Sequence, residues 1–267
     1  MDRSITDFNS RLKTIRIRDL IVGIIVTSIL LIILMITTGD FLESGETFAI
    51  VLLIIASILF IFAFWGSKGI GNSFSELLDR DTQKIILIVL VLNMFFAMLL
   101  PCLISNLEVF LSMMDPAFLA AETIEDVTTS DPLMFDIATS IIFAPILEEL
   151  VFRGILFNRT KLRIGIIPAM VLSSAIFGSL HQVGGMTSAF LFGICMCILY
   201  LQTDNILVPM SIHFLNNFIF VILNQFDTNF LLELPLLIPF TAVCGICSIL
   251  LLIYIIKESS IVKKEYS

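Results

Sequence analysis

Eight long apolar runs, set apart by short polar stretches, account for most of the chain. They are Leu20–Thr38, Phe48–Trp65, Ile85–Ile104, Met134–Phe157, Ile164–His181, Met186–Gln202, Ile206–Leu223 and Leu236–Ile256. Each holds between 17 and 24 residues, and a bilayer-spanning helix needs about 20. Backbone polar groups in lipid must be satisfied within their own segment, which selects helices. The pattern therefore predicts an all-α fold: a polytopic transmembrane helix bundle of about eight spans. The first three runs and the last are clean and read as lipid-facing or packing helices, whereas the fourth to seventh carry polar residues.

Composition strengthens this picture. Hydrophobic residues make up 58% of the 267 and charged residues 14%, where a soluble domain is about half apolar and a quarter charged. Mean hydropathy is +1.06. The spans use nearly the whole length and leave no room for a second soluble domain. The first run follows a polar segment and is not followed by a small-residue cleavage site, so it reads as an uncleaved anchor.

Charge supplies an orientation. All 15 Lys and Arg fall on one side of an eight-span arrangement. Arg3, Arg11, Lys13, Arg16 and Arg18 precede the first span, and Lys68, Arg80 and Lys84 lie between the second and third. Arg153, Arg159, Lys161 and Arg163 lie at the junction of the fourth and fifth, and Lys257, Lys263 and Lys264 follow the last. The opposite connections carry acids, among them Asp40, Glu43, Asp115, Glu122, Glu125, Asp126 and Asp131. The positive-inside rule then places both termini in the cytoplasm. The only basic clusters flank the membrane, which argues against a nucleic-acid partner.

The chain divides into a three-span region with an acidic outer loop (1–133), a polar-bearing helical region (134–256) and a short cytoplasmic tail (257–267). The loop from Asn106 to Leu133 intersperses Val109, Phe110, Met113, Met114 and Phe118 among its acids, a pattern compatible with a short amphipathic helix on the outer leaflet. The five cysteines, Cys102, Cys195, Cys197, Cys244 and Cys247, all lie inside apolar runs. The Cys244-x-x-Cys247 spacing has no neighbouring acid or histidine, so these thiols read as packing residues.

Candidate chemistry is confined to the second half. An ionisable group in a span costs several kcal/mol or must be paired and hydrated, so it is functional by default. Glu148, Glu149 and Arg153 lie in the fourth run. Glu149 and Arg153 are four apart and can pair on one helix face, leaving Glu148, about 100° away, free to face something else. Phe177 and His181 share a face of the fifth run, and His213 and Asn217 share a face of the seventh. Asn216 is turned off that face and reads as an interhelical hydrogen bonder. His181 and His213 are the chain's only histidines.

Glu148-Glu149…Arg153, then Phe177…His181, then His213…Asn217, in successive late spans, resembles the CPBP family, which contains the type II CAAX prenyl endopeptidases and bacterial Abi-type proteins, some linked to bacteriocin immunity. Phe152-Arg153-Gly154, Gly193 and Pro209 also fit, and the resemblance covers roughly Phe135 to Leu223. It implies catalytic roles for Glu148, His181, His213 and Asn217, with Glu149, Arg153 and Phe177 in support, in an intramembrane endopeptidase of a multi-pass membrane protein, here placed in a bacterial plasma membrane. In that chemistry Glu148, helped by His181, activates a water, and His213 and Asn217 hold the oxyanion. The family is also described as metalloproteases, and Glu148, His181 and His213 could bind Zn²⁺ with one position left for water. H-E-x-x-H is absent, and a metal-bound Glu148 would leave only Glu149 as base against its pairing with Arg153, so the reading leans to a metal-independent glutamate. Membrane lipid and a peptide or protein substrate, prenylated or not, are the expected partners.

Depth poses a puzzle. Counted from Ile164, His181 lies about 26 Å from the basic end, whereas Glu148 and His213 lie within roughly 10 to 15 Å. A helix starting at Pro168 reduces the first figure to about 20 Å. Two other classes compete: a non-catalytic immunity or partner-binding protein on the same scaffold, and a proton-coupled transporter, which expects matched broken helices in two halves.

Overall fold

A computed structural model describes residues 2, 4–38, 45–114, 137–223, 229–232 and 235–265. Its helices are α1 (Phe8–Leu12), α2 (Ile17–Thr38), α3 (Gly45–Phe64), α4 (Ile70–Leu77) and α5 (Arg80–Met114). Then comes α6, in which Ile137–Phe143, Ala144–Glu149, Leu150–Phe157 and Asn158–Ile164 follow without a break. After it stand α7 (Ile166–Ser179), α8 (Met186–Thr203), α9 (Leu207–Leu223) and α10 (Leu237–Glu265). Helices occupy all eight predicted positions, and no strand occurs among the described residues. The protein is an all-α membrane bundle. Five helices, α2, α3, α5, α8 and α10, are long and apolar enough to cross a bilayer, and α7 and α9 are apolar but shorter.

The layering follows from what each helix can bury. α8 is the centre: every residue from Phe192 to Leu201 is buried, as expected of a helix that is hydrophobic all round. It packs against α5, α6, α7, α9 and α10. α2 and α3 lie at the periphery and turn Ile24, Ile25, Ile36, Ile58 and Ile61 outward. α5 and α10 run together, and Asn106 Nδ2 of α5 donates to Thr241 Oγ1 of α10 at 2.7 Å.

The segments that carry the basic residues meet at one end. Phe8 N–H donates to Lys68 O and Lys68 N–H to Thr6 O. Lys13 pairs with Asp204, and Arg159 Nε donates to Ile15 O. Gln202 Nε2 reaches Glu258 of α10 at 2.7 Å. The first and last described segments therefore meet at the same end of the bundle. The turn between α8 and α9 is covered there. Asn205 is fully buried, its Nδ2 donates to Ser73 O, and Ile206 N–H donates to Asn9 Oδ1 of α1. Gly154 lets α1 lie directly on α6, because a Cβ at that position would stand 2.8 Å from the Leu12 methyls.

Several features differ from the sequence expectation, among them α10, which runs on to Glu265 through most of the expected tail. The fourth element does not stop at Phe157 but continues to Ile164, where Gly165 at φ +83° turns the chain into α7. Residues 106–114, expected in the outer loop, complete α5; the remainder of that loop, with its proposed amphipathic helix, lies outside the described residues. Finally, α6 is not regular: Ile137–Phe143 and Leu150–Phe157 are wound as wide π-turns on either side of Ala144–Glu149.

Candidate active site

Proline shapes the first part of the site. In the π register of Ile137–Phe143 the carbonyl of Ser140 would receive the N–H of residue 145, which is proline and has none. Asn217 Nδ2 fills the vacancy, donating to Ser140 O at 2.8 Å. One of the two Asn217 amide hydrogens is thus committed to holding α9 against α6, and the second is left over. The amide oxygen of Asn217 accepts from Asn216 Nδ2 at 3.3 Å, and Asn216 Oδ1 accepts from Asn93 Nδ2 at 3.1 Å. The result is a directional run of amides from α5 through α9 to α6. Asn216 is the helix-to-helix bonder its position suggested.

Asn93 is the residue that sequence reasoning missed. It is 3% exposed and its Oδ1 has no partner among the described residues. It lines a cavity of about 250 Å³ with Ser140, Phe177, His181, Phe192, His213 and Asn217 among others. The third span is therefore not a plain packing helix. The signal was present, since Asn93 is the one strongly polar side chain between Ile85 and Ile104.

The two adjacent glutamates have different surroundings. Glu149 is fully buried, and its Oε1 accepts from Arg153 Nη1 at 3.0 Å and from His213 Nδ1 at 3.0 Å. Arg153 is equally buried, with its guanidinium carbon 4.6 Å from the centre of the Phe177 ring, where a cation is favoured. Glu148 keeps 35% of its side chain accessible, and its Oε2 lies 3.6 Å from His213 Nε2. Glu149 is tied into the core, whereas Glu148 faces open space beside the histidine. The i,i+4 pairing of Glu149 with Arg153 and the separate orientation of Glu148 both hold.

Phe177 joins the parts. Its ring centre is 4.7 Å from that of His181, 5.7 Å from that of His213 and 5.3 Å from that of Phe152. The two histidines are fixed in the same manner. His181 Nδ1 lies 3.0 Å from Phe177 O, and His213 Nδ1 the same distance from the Glu149 carboxylate. Both partners are acceptors, so each Nδ1 carries the hydrogen and each Nε2 is the free atom in the neutral ring. Ser179 is exposed and its hydroxyl donates to Ile176 O, which leaves it outside this arrangement.

The depth puzzle dissolves on two observations. Glu148 and His181 are 17 and 16 residues from the Gly165 turn on the two arms of one hairpin, so they stand nearly level. The turn before His213 is buried beneath α1 and α4, so a count from Leu207 does not measure depth from the membrane surface. The 14 residues of α7 span only about 21 Å against a hydrocarbon core of about 30 Å. Non-helical backbone at such depth is tolerated where it lines a cavity, and Gly185 does line it.

The tautomers of both histidines suit metal ligation, because an Nδ1–H held by a carboxylate or carbonyl is the usual outer-shell arrangement. The spacing does not suit it. Among the described residues no three His, Cys, Asp or Glu side chains gather closely enough to hold a cation, so no step is derived through one. The cysteines are free among the described residues, and four of the five are buried.

Comparison with known proteins falls on this same region. Residues 130–219 match the family described as type II CAAX prenyl endopeptidase Rce1-like. A protein of Bacillus subtilis (strain 168) described as "Putative membrane peptidase YdiL" is 35% identical over 107 residues, which is 40% of this chain and 43% of that protein. The match thus spans less than half the length of the relative. No solved structure matches. Glu148, Glu149, Arg153, Phe177, His181, His213 and Asn217 all fall within the matched segment, and Asn93 falls outside it. Residues 130–219, which reach from α6 into α9 and hold the two glutamates and both histidines, thus resemble the Rce1-like family of type II CAAX prenyl endopeptidases over about a third of the chain.

Proposed function

We propose that the protein is an intramembrane endopeptidase, acting on a peptide bond of a membrane-associated protein or peptide, with Glu148 as the water-activating base. The observation that carries this reading is the contrast between the two glutamates. Glu149 is fully buried with one oxygen accepting two hydrogen bonds, whereas Glu148 is accessible and 3.6 Å from His213 Nε2. Of the two glutamates, Glu148 is the one with accessible surface to meet a water.

The chemistry then balances. Glu148 takes a proton from water as the hydroxide adds to the carbonyl carbon. His213, when protonated, carries its second hydrogen on Nε2, because its Nδ1–H is held by the Glu149 carboxylate. This hydrogen and the second amide hydrogen of Asn217 meet the oxyanion. Glu148 returns its proton to the leaving amine, giving a carboxylic acid and an amine. His181 Nε2 orients the water from the other side of Phe177. Asn93, which lines the cavity and holds Asn216, meets the substrate strand. The positive-inside rule puts the basic end, and both termini, in the cytoplasm.

The test is cleavage by purified protein of matched prenylated and unprenylated peptides, with Glu148→Gln, His181→Ala and His213→Ala alongside, each with and without a chelator. Cleavage by wild type and its loss in all three variants supports the reading. Loss of wild-type activity to the chelator replaces the glutamate mechanism by a metal-dependent one. A cellular phenotype that Glu148→Gln and His181→Ala both keep would replace catalysis by a partner-binding role on the same scaffold.

A further inference from the structure

A second cavity, of about 460 Å³, lies at the basic end, well removed from the glutamates. It is lined by Arg16, Ile17, Arg18, Arg159, Leu162 and Arg163. Four of its six lining residues are arginines, drawn from the start of α2 and the last turns of α6. Like charges repel, and their gathering around one hollow costs free energy unless something anionic shares it.

The structure supplies partial internal compensation from Asp19, whose Oδ2 accepts from Arg16 N–H at 3.1 Å and which raises the Arg159 pKa against its other neighbours. Among the described residues no carboxylate comes within ion-pair distance of Arg16, Arg159 or Arg163, and Arg18 has only Asp19 at 3.8 Å. Arg159 is aimed rather than free: its Nε donates to Ile15 O at 2.5 Å, leaving its terminal nitrogens for another acceptor. Burial, and after it the neighbouring Arg16 cation, lowers the Arg159 pKa from its ordinary value. An anion in the hollow would relieve that repulsion. α2 begins at Ile17, so the positive end of its dipole points into the same space.

We propose that this hollow binds the phosphodiester headgroup of an anionic phospholipid from the basic-side leaflet. Guanidinium forks match phosphate oxygens in pairs. The remaining wall, Ile17 and the largely exposed Leu162, is apolar and suits the glycerol and upper acyl carbons better than a free inorganic ion. The volume equals that of on the order of fifteen waters, ample for a headgroup. Basic pockets between spans at the cytoplasmic surface are suited to such lipids. The lipid would pin α2, otherwise peripheral, to the end of α6, and α6 carries Glu148.

The test uses the full chain in nanodiscs of phosphatidylcholine containing a minority of phosphatidylglycerol, followed by native mass spectrometry of the lipid that stays bound. It reads binding alone, so its outcome is independent of whether the protein cleaves peptides. Wild type should keep phosphatidylglycerol in preference to phosphatidylcholine. Arg16→Ala/Arg163→Ala, which alters two exposed side chains, should weaken that retention about 30-fold. Leu162→Glu, which adds a carboxylate to the wall, should act likewise. Lys263→Ala/Lys264→Ala removes the same charge at the end of α10 and should leave retention unchanged. Equal loss in that control pair, or equal retention of the two lipids, would overturn the proposal. Competition by inorganic phosphate as strong as by short-chain phosphatidylglycerol would overturn the lipid assignment in favour of a free-phosphate site.

Discussion

Breaking the Glu149–Arg153 pair one partner at a time, and then removing both, tests the core of the site. Both side chains have zero exposure and their charged atoms are 3.0 Å apart. At that distance the attraction is about 5–6 kcal/mol for an effective dielectric of 20. Each ion also lost several kcal/mol of solvation on burial. The pair is therefore close to neutral overall, whereas either ion alone is strongly unfavourable. Glu149→Gln and Arg153→Met should each destabilise the fold by about 3–5 kcal/mol, and the double variant by far less than the sum, a coupling of about 3 kcal/mol or more. Equilibrium unfolding in mixed detergent micelles measures all four corners of the cycle. Additivity to within about 0.5 kcal/mol would refute the argument. The side-chain amide introduced by Glu149→Gln keeps an oxygen for His213 Nδ1–H, so the folded fraction of that variant should still cleave. A folded but inert Glu149→Gln beside an active Glu148→Gln would exchange the roles of the two glutamates.

Gly193→Ala places a methyl 3.0 Å from Ser174 Cβ and Oγ and 3.1 Å from Arg153 Nη2, and should cost about 1–3 kcal/mol by overpacking; Ser174→Gly in the same chain should recover part of the lost thermal stability. Asn217→Leu removes the donor to Ser140 O and should destabilise by about 1–3 kcal/mol while abolishing cleavage, whereas Asn217→Asp would abolish cleavage with the helix contact equally lost. Asn93→Leu, with the cavity wall kept apolar and full, should raise KM for peptides more than it lowers kcat, as steady-state kinetics would show; an unchanged KM would remove Asn93 from the substrate site. At the basic end, the backbone and then side-chain hydrogen bonds from Ser10 hold Asp7 below its ordinary pKa of 3.8, so its capping of α1 is complete above that pH and fades as pH falls through the lower, folded value. Asp7→Asn should flatten that acid limb of an unfolding titration.

Much of this was legible in the chain because lipid imposes a simple rule. A long apolar run can only be a helix, and a charge inside it must have a partner or a purpose. Eight helices stand where eight runs predicted them, and the i,i+4 spacing of Glu149 and Arg153 became an ion pair. What was not legible depends on contacts between distant segments. The π-turns flanking Ala144–Glu149 leave no periodic trace in such short, mostly apolar segments. The link of His213 to Glu149 joins positions 64 apart. Asn93 could have been singled out by the rule that singled out Glu148, but an amide costs less in lipid than a charge and often serves only as interhelical glue.

The histidines show how the fold completes what the motif begins. Spacing alone can say that His181 shares a face with Phe177 and that His213 shares one with Asn217, but it cannot say which ring nitrogen is free. Phe177 packs against both rings, edge-on to His213, and beneath the Arg153 guanidinium, while its own carbonyl takes the Nδ1 hydrogen of His181. Glu149 takes the Nδ1 hydrogen of His213 with the same oxygen that holds Arg153. Each Nε2 is thereby the atom left to act, and for His213 it lies beside Glu148. On the proposed reading Glu149 thus serves the site without touching substrate: it neutralises a buried arginine and sets the tautomer of a histidine. Replacing Arg153 by Met should therefore disturb the His213 ring as well as stability, since both groups hold the same Glu149 oxygen. Ring-proton NMR at a single pH reads that directly: the His213 resonances should move in Arg153→Met, and an unmoved His213 with Arg153 absent would break the chain of dependence from the ion pair to the candidate site.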